Sequence, residues 1–443
     1  MNKFVCGAAA LAFLLLFSKC LVVDNAYTGL PPGTWRGVLK LVNTPITPNP
    51  KGKPLPEKLN MTFDEVTEGE LPFNFEVKYI DEHKFYIEIK NGDEIIRVDD
   101  ITIGRDRTRA KDTIFIAIPV YDSYIHGIFE ENIIEGEWVV SNKENYRIPF
   151  IARHGKGYRF TTLKKEPVTD ISGRWEAMFG LDEEKPYPAI GEFKQEGNYL
   201  TGTFLTETGD YRYLEGTIQH DKIYLSCFDG SHAFLFEAKI KGDSLEGVYR
   251  SGHRYRTLWT ARRNSEARLT DPHKLTFLKP GYERFDFAFP NADGKTIALS
   301  DPAYKGKVTL VQIMGTWCPN CRDETSFLMD YRRSHANAGL ATVALAFERH
   351  KDPEKARHAL RTYREKMGLD YEVLLAGNSD KEAASKALPM LNAVVSFPTL
   401  IILDKKGKVR QIHTGFSGPA TSEFESFKRS FDELVQQLLS EPQ

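Results

Sequence analysis

Val308-Thr-Leu-Val-Gln-Ile-Met-Gly-Thr-Trp-Cys-Pro-Asn-Cys321 is the stretch whose reading decides the carboxy-terminal fold of this chain. Its first seven residues form a short apolar run, which reads as a buried strand. A helix-like segment opens after Cys318. Between a buried strand and a helix, a Cys-x-x-Cys gains a mechanism. The amide N–H groups and the dipole of a helix N-terminus favour negative charge, so Cys318 is expected to attack as a thiolate. Cys321, in the first turn, is within reach to resolve the mixed disulfide, giving a redox pair Cys318–Cys321. The rival reading is half of a zinc site. It lacks a second Cys pair or a spaced His pair to complete four ligands, so no metal is expected.

Outward from this stretch, Ala341-Thr-Val-Ala-Leu-Ala-Phe347 reads as a second buried strand. Pro353 to Met367 reads as helix, Tyr371 to Leu375 as strand, and Asp380 to Leu388 as helix. Leu400-Ile-Ile-Leu403 and Val409-Arg-Gln-Ile-His413 form a hairpin across Asp404-Lys-Lys-Gly407, and Glu423 to Leu439 closes the chain as a helix. Strands alternating with helices, then a hairpin and a helix, predict a mixed α/β sheet with a parallel core.

Residues 282–441 resemble the TlpA/ResA group of thioredoxin-fold envelope reductases. Gly315-Thr-Trp317-Cys318-x-x-Cys321 matches the family's active-site loop, and Phe397-Pro398-Thr399 the loop that faces it, where the family's proline is cis. Lys351 to Met367 fills the place of the family's extra helix. The resemblance implies catalytic roles for Cys318, Cys321, Glu348 and Pro398, and a substrate-binding surface of Trp317, Phe397 and Thr399. Glu348 ends a buried strand where the family places an acid beneath the active site. A partly buried carboxyl there would exchange protons with the resolving thiol near neutral pH. Ordinary thioredoxins use an Asp six residues before the first Cys; that position is Gln312, which cannot titrate. A solvent-facing Glu348 beside Arg349 is the blander alternative. The implied activity is reduction of disulfides in cell-envelope proteins, apocytochrome c among the client class, with electrons from a membrane thiol-transfer protein and no cofactor. The pair Pro319-Asn320 leaves the redox potential open, so a disulfide oxidase or isomerase stays as an alternative.

Residues 25 to 263 read as β structure, with β-branched and aromatic runs that end at Gly, Asp or Asn. An internal repeat runs through them at one offset from Asp112 to Asp221 at its opening and from Arg153 to Arg262 at its close, drifting by two at Glu135-Gly136 and Glu246-Gly247 as a hairpin-length change would cause. A Gly-x-Trp stands upstream of each unit, at Gly33-Thr-Trp35 and Gly173-Arg-Trp175. This pattern resembles the lipocalin-like (calycin) barrels. It implies two tandem small antiparallel barrels over 25–165 and 170–264, with Trp35 against Arg153 and Trp175 against Arg262 plugging one end of each. A pair of β-sandwich modules is the alternative. Residues 265–281 are polar, carry Pro272 and Pro280, and read as a linker. A function of another class also stays open: β domains that capture a ligand or partner, with the redox domain accessory.

The first 20 residues read as an address. Lys3 precedes a short apolar run, Ala8 to Phe17, too brief to span a bilayer. Cys20 stands where bacterial lipoproteins carry their lipidated cysteine, although Lys19 replaces the usual small residue. Lipidation of Cys20, ordinary cleavage and an uncleaved anchor are the alternatives. All of them imply export to the periplasm or cell envelope, with membrane attachment only through the leader. Lys plus Arg (59) nearly balances Asp plus Glu (61), so nothing points to nucleic acid as a partner. Cys227, in a strand-like run, reads as an inert buried thiol.

Overall fold

The computed structural model describes residues 29–42, 66–335 and 339–442. The leader, Cys20 and the Pro-rich stretch from Asn43 to Lys58 lie outside the described residues. Among the described residues no helix is long and apolar enough to cross a membrane.

The β region contains two units built on one plan. The first has β1 (Gly33–Lys40), β2 (Glu70–Tyr79), β3 (Phe85–Asn91), β4 (Glu94–Val98) and β5 (Ile101–Asp106). It continues with β6 (Lys111–Ile118), β7 (Ser123–Glu130), β8 (Ile133–Val140) and β9 (Arg147–His154). The second has β10 (Gly173–Phe179), β11 (Tyr187–Glu196), β12 (Tyr199–Thr206), β13 (Gly209–Asp210) and β14 (Leu214–Gln219). Then follow β15 (Lys222–Phe228), β16 (Ala233–Lys241), β17 (Ser244–Ser251) and β18 (Tyr255–Arg263). In each unit the first strand pairs antiparallel with the last, β1 with β9 and β10 with β18. The repeat thus holds strand for strand.

One unit closes and the other does not. In the second, β13 is two residues long and takes only the end of β12, so β14 pairs with the rest of that edge at Tyr199–Gly202. With β11 on the other edge of β12, an eight-stranded barrel results. In the first, the longer β4 folds back across the turn at Gly92-Asp93 and covers β3 from Ile87 to Asn91. β5 then finds no free edge on β3, and the unit stays an open half-barrel.

The open side is filled by the neighbour. All residues of β15 after Lys222 are buried. Ile223, Leu225 and Cys227 point into the barrel, whereas Tyr224 and Phe228 enter the core of the half-barrel. Arg159 pins the junction, donating to Ser226 Oγ (2.9 Å), the Ser226 carbonyl (3.0 Å) and Asn91 Oδ1 (3.0 Å). Inside the barrel, rings of Phe179, Phe204, Phe236 and Trp259 lie against one another, with centroids 4.9–5.6 Å apart along the chain of contacts.

The expected end-plug pairs are displaced by one residue. His154, not Arg153, lies against Trp35 (5.2 Å between rings), and Arg263, not Arg262, lies over Trp175 (4.7 Å). Strand alternation is the cause: the residues directly opposite the two Trp are His154 and Arg263, so Arg153 and Arg262 face the other way.

The carboxy-terminal unit is a five-stranded sheet in the order β23-β22-β21-β24-β25. Its strands are β21 (Val308–Met314), β22 (Leu340–Glu348), β23 (Glu372–Asn378), β24 (Thr399–Leu403) and β25 (Val409–Thr414), preceded by a hairpin of β19 (Ala288–Pro290) and β20 (Thr296–Ala298). The three central pairings divide as expected: β21, β22 and β23 run parallel, and β24 runs antiparallel to β21. Helices α1 (Pro319–Ser334), α2 (Pro353–Met367), α3 (Lys381–Ala387) and α4 (Phe424–Ser440) accompany the sheet. Every residue of β21, β22 and β24 is buried, which explains their uninterrupted apolar runs. This is the thioredoxin-like α/β domain. Residues 272–279 are laid against it through Thr414 N to the Pro272 carbonyl (3.0 Å), Asn392 N to the Phe277 carbonyl (2.9 Å) and Lys279 N to the Met390 carbonyl (2.9 Å).

Candidate active site

β21 delivers Gly315-Thr316-Trp317 to the mouth of α1. Gly315 is needed there because a Cβ would run into Trp317 Nε1 and the Phe347 carbonyl. Cys318 is the N-cap of α1, extended at φ −104° and ψ 112°, and Pro319 holds the first turn. Pro is favoured there because its missing N–H would have been unpaired in any case. The amide of Cys321 points at Cys318 Sγ (3.2 Å), so a backbone donor already faces the sulfur on which charge develops. Cys318 and Cys321 are paired through their sulfurs, with Cα atoms 5.2 Å apart. Cys318 is 6% exposed and Cys321 fully buried. That asymmetry suits an outer attacking sulfur and an inner resolving one.

The facing loop is where the sequence put it. The Phe397–Pro398 peptide is cis, and the Phe397 carbonyl oxygen lies 3.4 Å from Cys318 Sγ. Thr399 is buried and donates to the Ser396 carbonyl (2.9 Å). Trp317 donates through Nε1 to the Phe347 carbonyl (2.9 Å) and meets Phe397 edge to face, 5.8 Å between rings. Cys318, Cys321, Trp317, Phe397, Pro398 and Thr399 therefore share one site.

Glu348 is buried at the end of β22, not solvent-facing. It accepts from Thr316 N (2.9 Å) and Thr316 Oγ1 (2.8 Å), and burial pushes its carboxyl up against the lowering effect of those bonds. It thus anchors the loop carrying Cys318, and no hydrogen bond joins it to either sulfur among the described residues.

A second buried acid, Glu324, was missed from sequence. It lies one turn beyond Cys321 on α1, where residues three apart share a face. Gln312 Nε2 donates both to Glu324 Oε2 (2.9 Å) and to the Cys321 carbonyl (3.1 Å), linking acid and cysteine. Glu324 Oε1 has no hydrogen-bond partner among the described residues, and burial raises its carboxyl to about 8. The signal was available: an acid three residues after a resolving cysteine, together with an amide in the preceding buried strand.

The β region reaches this site as well. Ser231 Oγ donates to the Trp317 carbonyl (2.9 Å), Asn320 Nδ2 to the Asp210 carbonyl (3.1 Å), and Ser396 Oγ to the Thr208 carbonyl (2.7 Å). Gly209 sits at φ +134°, and a Cβ there would strike Asn320 Nδ2. Beneath these contacts Arg212, 2% exposed, joins Glu94 of the half-barrel and Asp323 of α1, with Asp229 at 3.4 Å. Nothing in the sequence flagged Ser231, Asp210 or Arg212.

Residues 280–412 match the AhpC/TSA family. Over 141 residues the chain is 30% identical to the thioredoxin-like protein YneN of Bacillus subtilis (strain 168), covering 31% of this chain and 73% of that protein. It is 24% identical over 138 residues to the thiol-disulfide oxidoreductase ResA of the same strain, covering 31% of this chain and 69% of the relative. Among solved structures, a thioredoxin-family thiol:disulfide interchange protein from Chlorobium tepidum TLS aligns at 22% identity and a TM-score of 0.28, over 36% of this chain and 96% of that one.

Proposed function

Through its carboxy-terminal domain the chain belongs to the thioredoxin-like thiol–disulfide oxidoreductases, and from that premise we propose that it is an exported reductase of disulfides in cell-envelope proteins. In this reading Cys318 attacks and Cys321 resolves. The observation that carries it is the exposure and polarity of the pair: Cys318 caps α1 and receives an amide donor, while Cys321 is buried beside the Gln312–Glu324 couple.

The reaction runs in two exchanges. The Cys318 thiolate attacks one client sulfur; an S–S bond forms to the client, the client's own S–S breaks, and its departing thiolate takes a proton. Cys321 then gives up its proton, attacks Cys318 Sγ, and releases the second client thiol. Two electrons pass to the client, and the enzyme is left with the Cys318–Cys321 disulfide. Glu324, tied through Gln312 to the Cys321 carbonyl and raised to about 8 by burial, is protonated near neutral pH and becomes a proton acceptor only as pH rises toward 8. Glu348 fixes Thr316 and with it the loop; Pro398, Phe397, Thr399 and Trp317 form the surface against which client backbone lies. A membrane thiol-transfer protein would return the two electrons, and apocytochrome c is one client class that fits. A lipid on Cys20, or cleavage beside it, would decide between a tethered and a free form. The division into a leader at 1–20, β units at 25–165 and 170–264, a connector at 265–281 and the redox domain at 282–441 belongs to the same reading.

Two substitutions test it. Cys318→Ser should abolish insulin reduction, because no attacking thiolate remains. Cys321→Ser should accumulate mixed disulfides with clients, because attack proceeds and resolution fails. Faster alkylation of Cys321 than of Cys318 in the reduced protein would reverse the assignment.

A further inference from the structure

Beside Trp317 the fold gathers three cations, Lys143, Arg254 and Arg349, none of which forms an ion pair among the described residues. The turn between β8 and β9 supplies Lys143 and Tyr146, the turn between β17 and β18 supplies His253 and Arg254, and the chain just past β22 supplies Arg349. Lys143 Nζ stands 4.4 Å and Arg254 Cζ 5.2 Å from the centre of the one Tyr146 ring, and the His253 ring is 4.6 Å from it. Arg349 Cζ lies 3.9 Å over Trp317, the residue before the attacking cysteine. An aromatic face holds a cation in place and leaves its charge uncancelled.

The local acids bond mainly elsewhere, although Asp229 still raises Lys143 and Glu348 still raises Arg349 against the larger lowering by burial. Asp229 serves Arg212 and His232, and Glu348 serves Thr316. Glu144 offers Arg254 its backbone carbonyl. Arg349 Nη1 and His253 Nδ1 are buried without a hydrogen-bond partner among the described residues, so donors as well as charge are left over. Burial, reinforced by Arg349 and Arg254 and opposed by Asp229, lowers Lys143 to about 7, so Lys143 is fully charged only below that pH or with an anion beside it.

We propose that Lys143, Arg254 and Arg349 form a carboxylate-binding subsite flanking the dithiol, and that the disulfide reduced here carries an acidic group beside its sulfurs. This rests on the exchange reading above and adds the charge of the substrate. An acid seated on Arg349 would lie against Trp317, one residue from Cys318. It would meet donors that are already positioned, so little further ordering is needed for binding. The β region thereby contributes directly to substrate choice through two of its turns.

The test uses the full-length reduced protein, at a pH of about 6 where Lys143 is charged, and three small symmetrical disulfides of similar size: 3,3′-dithiodipropionate (anionic), 2-hydroxyethyl disulfide (neutral) and cystamine (cationic). The rate constant for oxidation of the Cys318–Cys321 pair should be about tenfold higher for the anionic than for the neutral compound, and lowest for cystamine. In about 1 M KCl, where the Debye length is about 3 Å, the preference should shrink. Lys143→Gln with Arg254→Gln should bring the anionic and neutral rates to within about twofold while leaving the neutral rate unchanged, which also reports an intact site. Equal rates for all three compounds in the unaltered protein would overturn the subsite and leave the exchange chemistry standing. A loss on all three alike in the variant would overturn it too. Absence of exchange with any of them would instead sink the oxidoreductase reading itself. Glutathione disulfide and a peptide disulfide with flanking Asp then separate a small-molecule source of the carboxylate from a polypeptide one.

Discussion

Glu324 and Glu348 are both buried acids beside one loop, yet their partners give them different work. Glu348 accepts one bond from Thr316 on each oxygen, which fixes where Trp317 and Cys318 stand. Glu324 keeps one oxygen without a hydrogen-bond partner among the described residues and is linked through Gln312 to the Cys321 carbonyl. Its carboxyl moves from an ordinary 4.5 up to about 8 on folding. The folded, oxidised protein therefore holds a proton that the unfolded chain releases, and stability from this group is full below the unfolded value and lost as pH rises toward 8. Glu324→Gln keeps an acceptor for Gln312 and removes the titration. Relative to the unaltered protein, it should gain on the order of 3 kcal/mol between about pH 5 and pH 8, read from urea unfolding at each pH. Release of client from the mixed disulfide should lose the part of its rate that rises as pH approaches 8, with the first attack unaffected. A variant whose stability tracks the parent at every pH would show that Glu324 stays ionised in the fold.

At the scale of elements, β15 bears two loads. Its even and odd positions enter two different cores, so it is a barrel strand and also the wall that completes the half-barrel. Phe228 meets Phe73 at 4.4 Å and Trp138 edge-on at 5.1 Å. Phe228→Ala should cost about 3–5 kcal/mol, and the half-barrel should loosen although the altered residue belongs to the barrel. A loss below about 1 kcal/mol would mean that the two units do not share a core. The sequence made such strands visible but not their edges. Val308 to Met314 could be read because a strand buried on both faces has one pattern, and Lys222 to Phe228 because its run is equally apolar. What could not be read was that β4 is long enough to occupy β3 while β13 is too short to occupy β12, since closure depends on non-local pairing and not on composition. The one-residue slip at Trp35 and Trp175 has the same origin. Two adjacent basic residues at a strand end look alike in sequence, and only register decides which faces the ring. Glu324 was legible in principle, for helix spacing alone puts it on the Cys321 face.

Across the whole molecule, the β region is docked over the face that carries the dithiol. Thr208, Asp210 and Ser231 bond to the loop carbonyl and side chains that flank Cys318, and Cys318 itself is 6% exposed. A client polypeptide pairing with the Phe397–Thr399 edge would compete with the segment around Thr208 for that surface, so exchange with large clients should require the two bodies to part. Arg212 is the residue on which that parting turns, because it balances Glu94, Asp229 and Asp323, which come from the half-barrel, the barrel and α1. Asp323, raised to about 6 by burial, is the acid in this set most ready to be neutral when covered. Arg212→Glu replaces the shared counter-ion with another carboxylate, and breaking such a buried set costs about 3–5 kcal/mol. That cost falls on the interface, since Arg212 follows the short β13 and lies outside the aromatic interior of the barrel. Alkylation of Cys318 by a bulky maleimide in the reduced protein should rise about tenfold or more, and insulin reduction should rise with it. Far-UV circular dichroism should stay at the parent signal, which shows the β structure intact. Unchanged alkylation with an intact barrel would mean that the dithiol is reached without separation, through the Trp317 side alone.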